Sequence, residues 1–344
     1  MRILALESSC DDTSAAVVES DHGLISVISN VVSSQISLHE KFGGVVPELA
    51  AREHVSNILP VINSALKQAN IAPDQIKHNI DAIAVTSGPG LVTSLMVGVE
   101  TAKALAHTLD LPLIGINHIE GHIHANFIGN NKVVLPAIIL TVSGGHTNLV
   151  SMDKEKNLVI VGQTRDDAAG EAFDKAAQLM GLGYPGGPIV SRLASEHSSS
   201  GGQQHTIDLP RPMIGSHDLD FSFSGLKTAL LYALKNDHEW KQKIPAYCHS
   251  FESAVVDVLV SKTMSAAEKF HVKTILLAGG VSANQKLRSV LQSSAESKGF
   301  LFSAPELTYT SDNAAMIGAA ACHKLSTLRL ADASLLKASP NQEL

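Results

Sequence analysis

The sequence has few aromatic residues, no dense group of cysteines and no excess of positive charge. Aromatic residues make up 4% of a chain that is 44% hydrophobic, so an aliphatic core is expected. Cys10, Cys248 and Cys322 are far apart and form no CxxC pair, which argues against a disulfide framework or a thiolate metal site and favours a reducing compartment. The net charge of -7 argues against nucleic-acid binding over the whole surface and leaves a local basic patch or a basic partner.

Long apolar runs are also missing. No stretch approaches the roughly 18 apolar residues of a membrane span, so we expect no membrane contact. Glu7, Asp11 and Asp12 near the start interrupt any apolar region, so no signal peptide is expected. A length of 344 residues favours two domains, at about 100 to 200 residues each.

The stretch 138–150, IILTVSGGHTNLV, has two β-prone segments joined by Ser143-Gly144-Gly145-His146. This pattern predicts a hairpin whose glycines supply the positive φ angles of the turn. Amide groups at such a tip, beside a hydroxyl and an imidazole, suit a phosphate or another oxyanion, and an ordinary turn is the alternative. A second polar tip, Glu7–Thr13, joins the apolar segments 3–6 and 15–18, which suggests an internal duplication.

Elsewhere, strands, glycine turns and helices alternate, which is typical of an α/β protein. Apolar periodicity predicts helices over 47–66, 91–109, 166–180 and 251–270, and strands over 81–86, 113–116 and 274–278. Residues 221–227 show strand-like alternation, 195–220 resemble a long surface segment, and the tail from 331 is expected to fray. Ser282, after Gly279-Gly280, is the predicted N-cap of the helix that follows.

The segment HIEGHIH contains a candidate metal site. If it is helical, His118 and His122 lie one turn apart on the same face, where two imidazoles can share a metal ion. Surface or capping histidines are the alternative. Glu120 falls third in HIEGH rather than second, which disfavours a zinc protease of the HExxH type. Asp312 could serve only as a helix N-cap, and Asp174 could only pair with a lysine.

Eight motifs occur in order along nearly the whole chain: SSCDDT, HIEGHIHAN, VSGGHT, GEAFDK, YPGGP, FSFSGLK, LLAGGVSAN and TSDNAAM. Together they resemble the bacterial tRNA N6-adenosine threonylcarbamoyltransferase family, once described as O-sialoglycoprotein endopeptidases. The resemblance implies an α/β fold of two duplicated RNase H-like lobes, as in the actin, Hsp70 and sugar kinase (ASKHA) superfamily, with the active site in the cleft between the lobes. We expect one lobe over 1–116 plus 312–340 and the other over 117–311.

The resemblance also implies the roles of individual residues. His118, His122 and Asp312 match the family's metal ligands, usually assigned to one Fe(II), with Zn(II) a frequent occupant. Nitrogen and carboxylate ligands suit either ion, so the sequence does not choose between them. Asp11 matches an acidic residue that the family needs for activity, and it is our candidate for the catalytic base.

The substrate-binding residues are likewise implied by the resemblance. The segment that matches the binding site for threonylcarbamoyl-AMP consists of Val142, Ser143, Gly144, Gly145 and His146. Its other contacts match Asp174, Gly187 and Asn284. Ser191 stands where many members carry Asp, which puts one ribose contact in doubt.

The implied reaction is transfer of a threonylcarbamoyl group from threonylcarbamoyl-AMP to the N6 amine of adenosine 37 in tRNAs that read ANN codons, with release of AMP. The implied partners, in the cytoplasm, are tRNA, a paralogous dimerising subunit (TsaB-like), a small ATPase (TsaE-like) and a TsaC-like enzyme that supplies the adenylate. Basic residues that could contact tRNA are Arg192, Arg211, Lys227, Lys241 and Lys243. The rival interpretations are a small-molecule kinase or ATPase of the same superfamily and a non-enzymatic ATP-binding scaffold.

Overall fold

Residues 1–129, 133–199, 207–325 and 335–344 are described by a computed structural model. The chain divides into unit 1, Met1–Lys132 with Pro305–Leu344, and unit 2, Val133–Ala304. The lobes expected from the sequence had their boundaries at 116/117 and 311/312. Residues 117–129, whose helix His118–His124 packs against the helix Ala314–Leu325, lie in unit 1 instead, and so do residues 305–311.

The strands of the described residues are β1 (Arg2–Glu7), β2 (Asp12–Asp21), β3 (Leu24–Ser34), β4 (Ala82–Gly88), β5 (Leu113–Asn117), β6 (Ala137–Val142), β7 (Thr147–Met152), β8 (Leu158–Gln163), β9 (Thr274–Ala278) and β10 (Leu301–Ser303). The α-helices are α1 (Ile36–His39), α2 (Pro47–Gln68), α3 (Ile76–Asn79), α4 (Val92–Leu109), α5 (His118–His124), α6 (Ala169–Leu179), α7 (Gly186–Ser199), α8 (Ser224–Asn236), α9 (Ile244–Lys269), α10 (Gln285–Ser297) and α11 (Ala314–Leu325). Single 3₁₀ turns span Glu40–Phe42, Pro73–Gln75, Ala125–Phe127, Trp240–Gln242, Gly280–Ala283 and Leu307–Tyr309.

The two units contain sheets with the same topology. The described strands of unit 1 form a five-stranded sheet in the order β3-β2-β1-β4-β5, and those of unit 2 form one in the order β8-β7-β6-β9-β10. In each sheet the first three strands are antiparallel and the last three are parallel. The predicted α/β fold and its internal duplication are therefore confirmed.

The central strand β1 explains how unit 1 is layered. It is a continuous apolar run, as expected for a strand that helices cover on both faces. Ile3 and Ala5 pack in one buried cluster with α11, whereas Leu4 and Leu6 pack in another with α2 and α4. Because successive side chains of a strand point to opposite faces, one short sequence specifies both layers.

The predicted strand at 221–227 was wrong beyond its first residue. Phe221 forms an isolated bridge with Thr164, but α8 begins at Ser224. The carboxylate of Asp166 accepts hydrogen bonds from the backbone N–H groups of Phe223 and Ser224, at 2.8 and 3.2 Å. This carboxylate, remote in the sequence, accepts hydrogen bonds from N–H groups that have no partner within α8. The helix therefore forms although the local alternation of Phe and Ser favours a strand.

The prediction of a frayed tail was also wrong for the residues that can be assessed. Residues 331–334 lie outside the described part of the chain, but Leu336 and Ala338 pack against the apolar cluster of unit 1. The predicted surface segment 195–220 begins inside α7, and its residues 200–206 are likewise not described. Within the described residues, no helix has the length and apolar character needed to cross a membrane.

Candidate metal centre and substrate cavity

The helix α5 begins at His118 because Asn117 caps it. The Asn117 side-chain oxygen accepts hydrogen bonds from the backbone N–H groups of Ile119 and Glu120, at 2.9 and 3.3 Å. An N-cap of this kind satisfies donors that have no partner within the helix. The predicted helical spacing of His118 and His122 is therefore confirmed, and both side chains are buried.

Asp312 lies beside the two imidazoles. Its Oδ1 atom is 3.5 Å from His118 Nε2 and 3.2 Å from His122 Nε2. The alternative role of Asp312 as a helix cap is filled by its neighbour, because the Asn313 side-chain oxygen accepts from Met316 N at 3.1 Å. One ligand atom from each of His118, His122 and Asp312 lies within 4.8 Å of the others, so this group could hold a metal ion.

Two observations show that the group fits a metal ion. Ligands at about 2.0 to 2.2 Å from a tetrahedral ion are roughly 3.4 Å apart, close to the two nitrogen–oxygen distances of 3.2 and 3.5 Å. The His122 side chain is 1% exposed, and neither ring nitrogen has a hydrogen-bond partner among the described residues. The His122 imidazole is close enough to Asp312 for an ion pair, but the geometry is not that of a hydrogen bond. A metal ion between them would be bound by the lone pair of the ring nitrogen.

Glu7 lies beside His118 and was not among the site residues predicted from the sequence. His118 Nδ1 lies 3.3 Å from Glu7 Oε2, and Glu7 is 0% exposed at the end of β1. The other Glu7 oxygen accepts from Ser9 N at 2.5 Å, and Oε2 also accepts from the Thr86 hydroxyl. A carboxylate behind the histidine fixes its tautomer and orientation for the metal. The signal in the sequence that could have identified Glu7 is an acidic residue at the end of an apolar strand.

The charges at this centre act in opposite directions. Burial alone would lower the pKa of His118, but the carboxylates of Asp312 and Glu7 outweigh it and raise that pKa to about 9. Burial would raise the pKa of Glu7, yet the positive charge of His118 holds it below its ordinary value. Without a metal, therefore, His118 is protonated at neutral pH, and a bound cation would take the place of that proton.

Asp11 lies in the loop between β1 and β2, in the same unit as the metal group. Burial and the negative charge of Asp312 raise the pKa of Asp11 above its ordinary value. The imidazole of His54 holds this loop, because Nδ1 contacts Thr13 Oγ1 at 2.8 Å and Nε2 contacts the Cys10 carbonyl at 2.9 Å. A raised pKa makes a carboxylate a stronger base at neutral pH.

Glu120, the acid inside HIEGH, points to a different partner. Its Oε2 atom is 2.6 Å from the ammonium group of Lys324 on α11. This ion pair occupies the carboxylate that a protease would use to activate water. The contact agrees with the argument from residue order against a zinc protease.

In unit 2, the predicted hairpin of β6 and β7 is confirmed, with its tip at Ser143–His146. Ser143 N donates to His146 O at 2.8 Å, and His146 N donates to the Ser143 hydroxyl at 3.1 Å. The predicted positive φ angles were wrong, because neither Gly144 nor Gly145 has one. The position near the tip that requires glycine is Gly170, because a Cβ there would lie 2.5 Å from the carbonyl oxygen of Ser143.

Beside this tip, unit 2 contains a cavity of about 1010 Å³. This volume is ample for a nucleotide. Of the residues expected to bind substrate, Gly144, Asp174, Gly187 and Asn284 line the cavity. The lining does not include Val142, Ser143, Gly145 or His146, which neighbour Gly144 in the chain.

Asp174 positions one wall of the cavity. Its Oδ1 atom accepts a hydrogen bond from Gly186 N at 2.7 Å. Gly186 begins α7, and a Cβ there would lie 2.7 Å from Asp174 Cα, so only glycine fits. The neighbouring Lys175 pairs with Asp167 at 2.8 Å. The YPGGP motif is therefore the entry to a helix, held by Asp174.

Asn284, not Ser282, caps α10, so the predicted cap was wrong by two residues. The Asn284 side-chain oxygen accepts from Leu287 N at 2.8 Å, whereas Ser282 is buried in a 3₁₀ turn. The Asn284 amide group donates to Glu252 Oε1 at 2.8 Å and to Ser191 Oγ at 3.3 Å. Glu252 is 3% exposed, lines the cavity and was not identified from the sequence.

The basic residues suggested for tRNA binding are mostly neutralised. Four of them pair with carboxylates: Arg192 with Glu196, Arg211 with Asp257, Lys227 with Asp167, and Lys243 with Asp237. Lys241 lies over the Trp240 ring, 5.8 Å from its centroid. The four paired residues therefore offer a phosphate-binding patch less free positive charge than their number suggests.

Solved structures with a similar backbone define the class of fold. HypF from T. kodakarensis matches with a TM-score of 0.62 at 13% identity, over 94% of this chain and 48% of that chain. The activator of the 2-hydroxyisocaproyl-CoA dehydratase from Clostridium difficile matches with a TM-score of 0.51 at 14% identity, over 96% of this chain and all of the other. The repeated mixed sheets and these neighbours define the class of fold: an α/β protein of two units that share one sheet topology.

Sequence comparison identifies the family within this class. The profile described as tRNA N6-adenosine threonylcarbamoyltransferase matches residues 26–319. A relative of that name from Thermosipho africanus is 46% identical over all of both chains, and one from Syntrophomonas wolfei is 44% identical over 97% of this chain and 95% of its own. The chain belongs to the tRNA N6-adenosine threonylcarbamoyltransferase family and is a transferase that acts on tRNA.

Proposed function

We propose that the protein transfers a threonylcarbamoyl group from threonylcarbamoyl-AMP to the N6 amine of adenosine 37 in tRNAs that read ANN codons, with release of AMP. The observation that carries the proposal is the convergence of His118, His122 and Asp312 in a chain of this family. We propose that this group holds one divalent ion. Fe(II) is the expected ion by resemblance, and Zn(II) is the alternative because the same donors suit it.

The chemistry explains why an adenylate donor is required. The exocyclic amine of adenine is a poor nucleophile, because its lone pair is delocalised into the ring. An acyl carbon joined to phosphate can accept this amine, because AMP is a good leaving group. A new N–C bond forms, the C–O bond to phosphate breaks, and one amine proton is transferred to a base. An ion held by the two histidines and Asp312 would stabilise negative charge on a phosphate or carbonyl oxygen.

Asp11 is the proposed base that takes the amine proton. Its raised pKa, caused by burial and by Asp312, favours proton transfer at neutral pH. Asp11→Asn keeps the size of the side chain and removes its basic oxygen. We expect the single-turnover rate to fall by about 10²-fold or more, whereas Asp21→Asn, at an exposed position, should retain the full rate. An Asp11→Asn enzyme with the full transfer rate would remove this role.

The adenylate is proposed to bind unit 2. Four expected contacts, Gly144, Asp174, Gly187 and Asn284, line its large cavity, which supports this assignment. Val142, Ser143, Gly145 and His146 stay proposed contacts through the hairpin tip that they share with Gly144. The tip amides would hold the charge that develops on oxygen during transfer. Glu252 is added to this set, because its carboxylate holds the Asn284 amide.

We propose that tRNA binding depends on partner proteins, since most candidate basic residues are already paired with acids. By resemblance, the partners are a paralogous dimerising subunit and a small ATPase, with a separate enzyme that makes the adenylate, all in the cytoplasm. Val55 and Leu59, exposed apolar residues one turn apart on α2, are a candidate contact for the dimerising subunit.

The decisive test mixes the protein and its proposed partners with threonylcarbamoyl-AMP and unmodified tRNA. Nucleosides are then analysed by mass spectrometry, and AMP is quantified in parallel. A transferase forms one modified adenosine for each AMP released. A phosphorylated product would favour the kinase alternative, and the absence of any product with retained nucleotide binding would favour the scaffold. His122→Ala is the negative control.

A further inference from the structure

The segment Ser339–Glu343, here called the strap, lies against the start of the metal-bearing helix. Ser339 N donates to Ser87 O at 2.7 Å, and Gly90 N donates to Pro340 O at 3.1 Å. The Ser87 hydroxyl also donates to the Gln342 side chain at 3.0 Å. The strap is therefore fixed to the end of β4 and to the turn that follows it.

Close packing supports these hydrogen bonds. A Cβ at Gly88 would overlap the carbonyl oxygen of Ser339, so the turn and the strap approach to a distance that only glycine permits. Leu336, just before the strap, packs against Gly115 of β5 and joins the apolar cluster of unit 1. The strap is thus held at the ends of two neighbouring parallel strands.

Asn117 connects the strap to the metal centre. Its amide nitrogen donates to the backbone carbonyls of Gln342 and Glu343, at 3.4 and 3.1 Å. Its amide oxygen caps α5 through Ile119 N and Glu120 N. A primary amide is planar, so the contacts on the nitrogen fix the direction of the oxygen.

We propose that the strap is a positioning element of the metal centre: it orients Asn117, which holds the first turn of α5 and so presents His118 to the metal. This inference rests on the proposed metal site and adds the strap to it. Neither Asn117 nor the strap is a metal ligand. If the strap is released, residues 118–121 populate several conformations besides the helical turn. The apparent metal affinity then falls in proportion to the fraction of molecules in which this turn is formed.

Two variants release the strap from opposite sides. Asn117→Asp keeps an oxygen to cap α5 but removes both N–H donors to the strap. Ser339→Pro removes the N–H that bonds Ser87 O and leaves Asn117 unchanged. Lys337→Ala is the matched control, because that side chain is exposed two residues before the strap.

The first measurement is Co(II) affinity, from visible absorbance with chelator competition. We expect Asn117→Asp and Ser339→Pro each to weaken Co(II) binding by about tenfold, the equivalent of one or two hydrogen bonds. The double variant should lose little more than either single one, since both variants release the strap from Asn117. Lys337→Ala should bind as the unchanged protein does. Unchanged affinity in both strap variants, or fully additive losses, would overturn the proposal.

The second measurement does not need a metal. Amide hydrogen exchange at Ile119 and Glu120 should be faster in metal-free Ser339→Pro than in metal-free unchanged protein or Lys337→Ala. Equal exchange in all three would refute the strap's role whether or not a metal binds. If the unchanged protein fails to bind Co(II), the metal assignment fails, while the exchange result still decides whether the strap orders α5.

Discussion

Replacement of Glu7 by Gln is predicted to place His118 in the wrong tautomer for metal binding. The backbone N–H of Ser9 can only donate, so the Gln oxygen must face it, as Glu7 Oε1 does at 2.5 Å. The Gln NH2 group then faces the Thr86 hydroxyl and His118 Nδ1, where the carboxylate accepted hydrogen bonds. His118 Nδ1 must now accept, which puts the ring proton on Nε2, the atom nearest Asp312.

The expected magnitude follows from the type of contact that is lost. Removing the outer partner of a metal-binding histidine costs about 10- to 100-fold in metal affinity. A charge-assisted hydrogen bond, at about 1.5 to 3 kcal/mol, gives the same range. Co(II) titration with chelator competition measures the affinity, and nitrogen NMR of the imidazole reports the tautomer. Ser9→Ala, which removes a hydroxyl 3.1 Å from His118 Nδ1, is the control and should cost severalfold less. Wild-type affinity in Glu7→Gln would refute the reasoning.

Three further predictions concern pH, packing and the cavity. Because His118 has a pKa of about 9 without metal, Co(II) affinity should rise by up to about tenfold per pH unit until pH 9 and then level off. Calorimetry in buffers of different ionisation enthalpy should detect one released proton, and a pH-independent affinity would contradict this prediction. Gly279→Ala should lower the free energy of unfolding by about 2 kcal/mol or more in urea titrations, because φ is +86° and the new Cβ would overlap Val142 O. Gly144→Ala is the control: a Cβ there meets open space, so the free energy of unfolding should change by less than about 0.5 kcal/mol. Asn284→Asp keeps the oxygen that caps α10 but removes both N–H donors of the side-chain amide, so calorimetry should show AMP affinity reduced by about tenfold or more. Unchanged AMP affinity would exclude Asn284 from the proposed adenylate site.

The metal group was accessible from sequence to different degrees. His118 and His122 lie on one helix, so their spacing alone predicts that they share a face. Asp312 is remote in the chain and was assigned by resemblance only. Its alternative role as a helix cap is filled in the structure by Asn313, a contact that the sequence alone does not reveal. Local periodicity specifies neighbours on one element, whereas contacts between elements depend on the whole fold.

Residues that act through such remote contacts were missed or mispredicted. Glu7 looks like the end of an ordinary strand, and its role depends on the imidazole of His118. The strap is polar and gives no periodic signal, because its backbone rather than its side chains makes most of its contacts. The start of α8 is set by Asp166, which no local pattern reveals.

The most direct test of the proposed metal-dependent transfer is a single-turnover assay after metal removal. The protein is stripped with a chelator, then supplied with increasing Fe(II) or Zn(II) under anaerobic conditions, with threonylcarbamoyl-AMP, tRNA and the partner proteins in excess. We predict that formation of the modified adenosine is lost on stripping and returns linearly until one ion per chain is bound, and that His122→Ala does not recover. Transfer at the full rate by stripped protein, or by His122→Ala, would contradict the account.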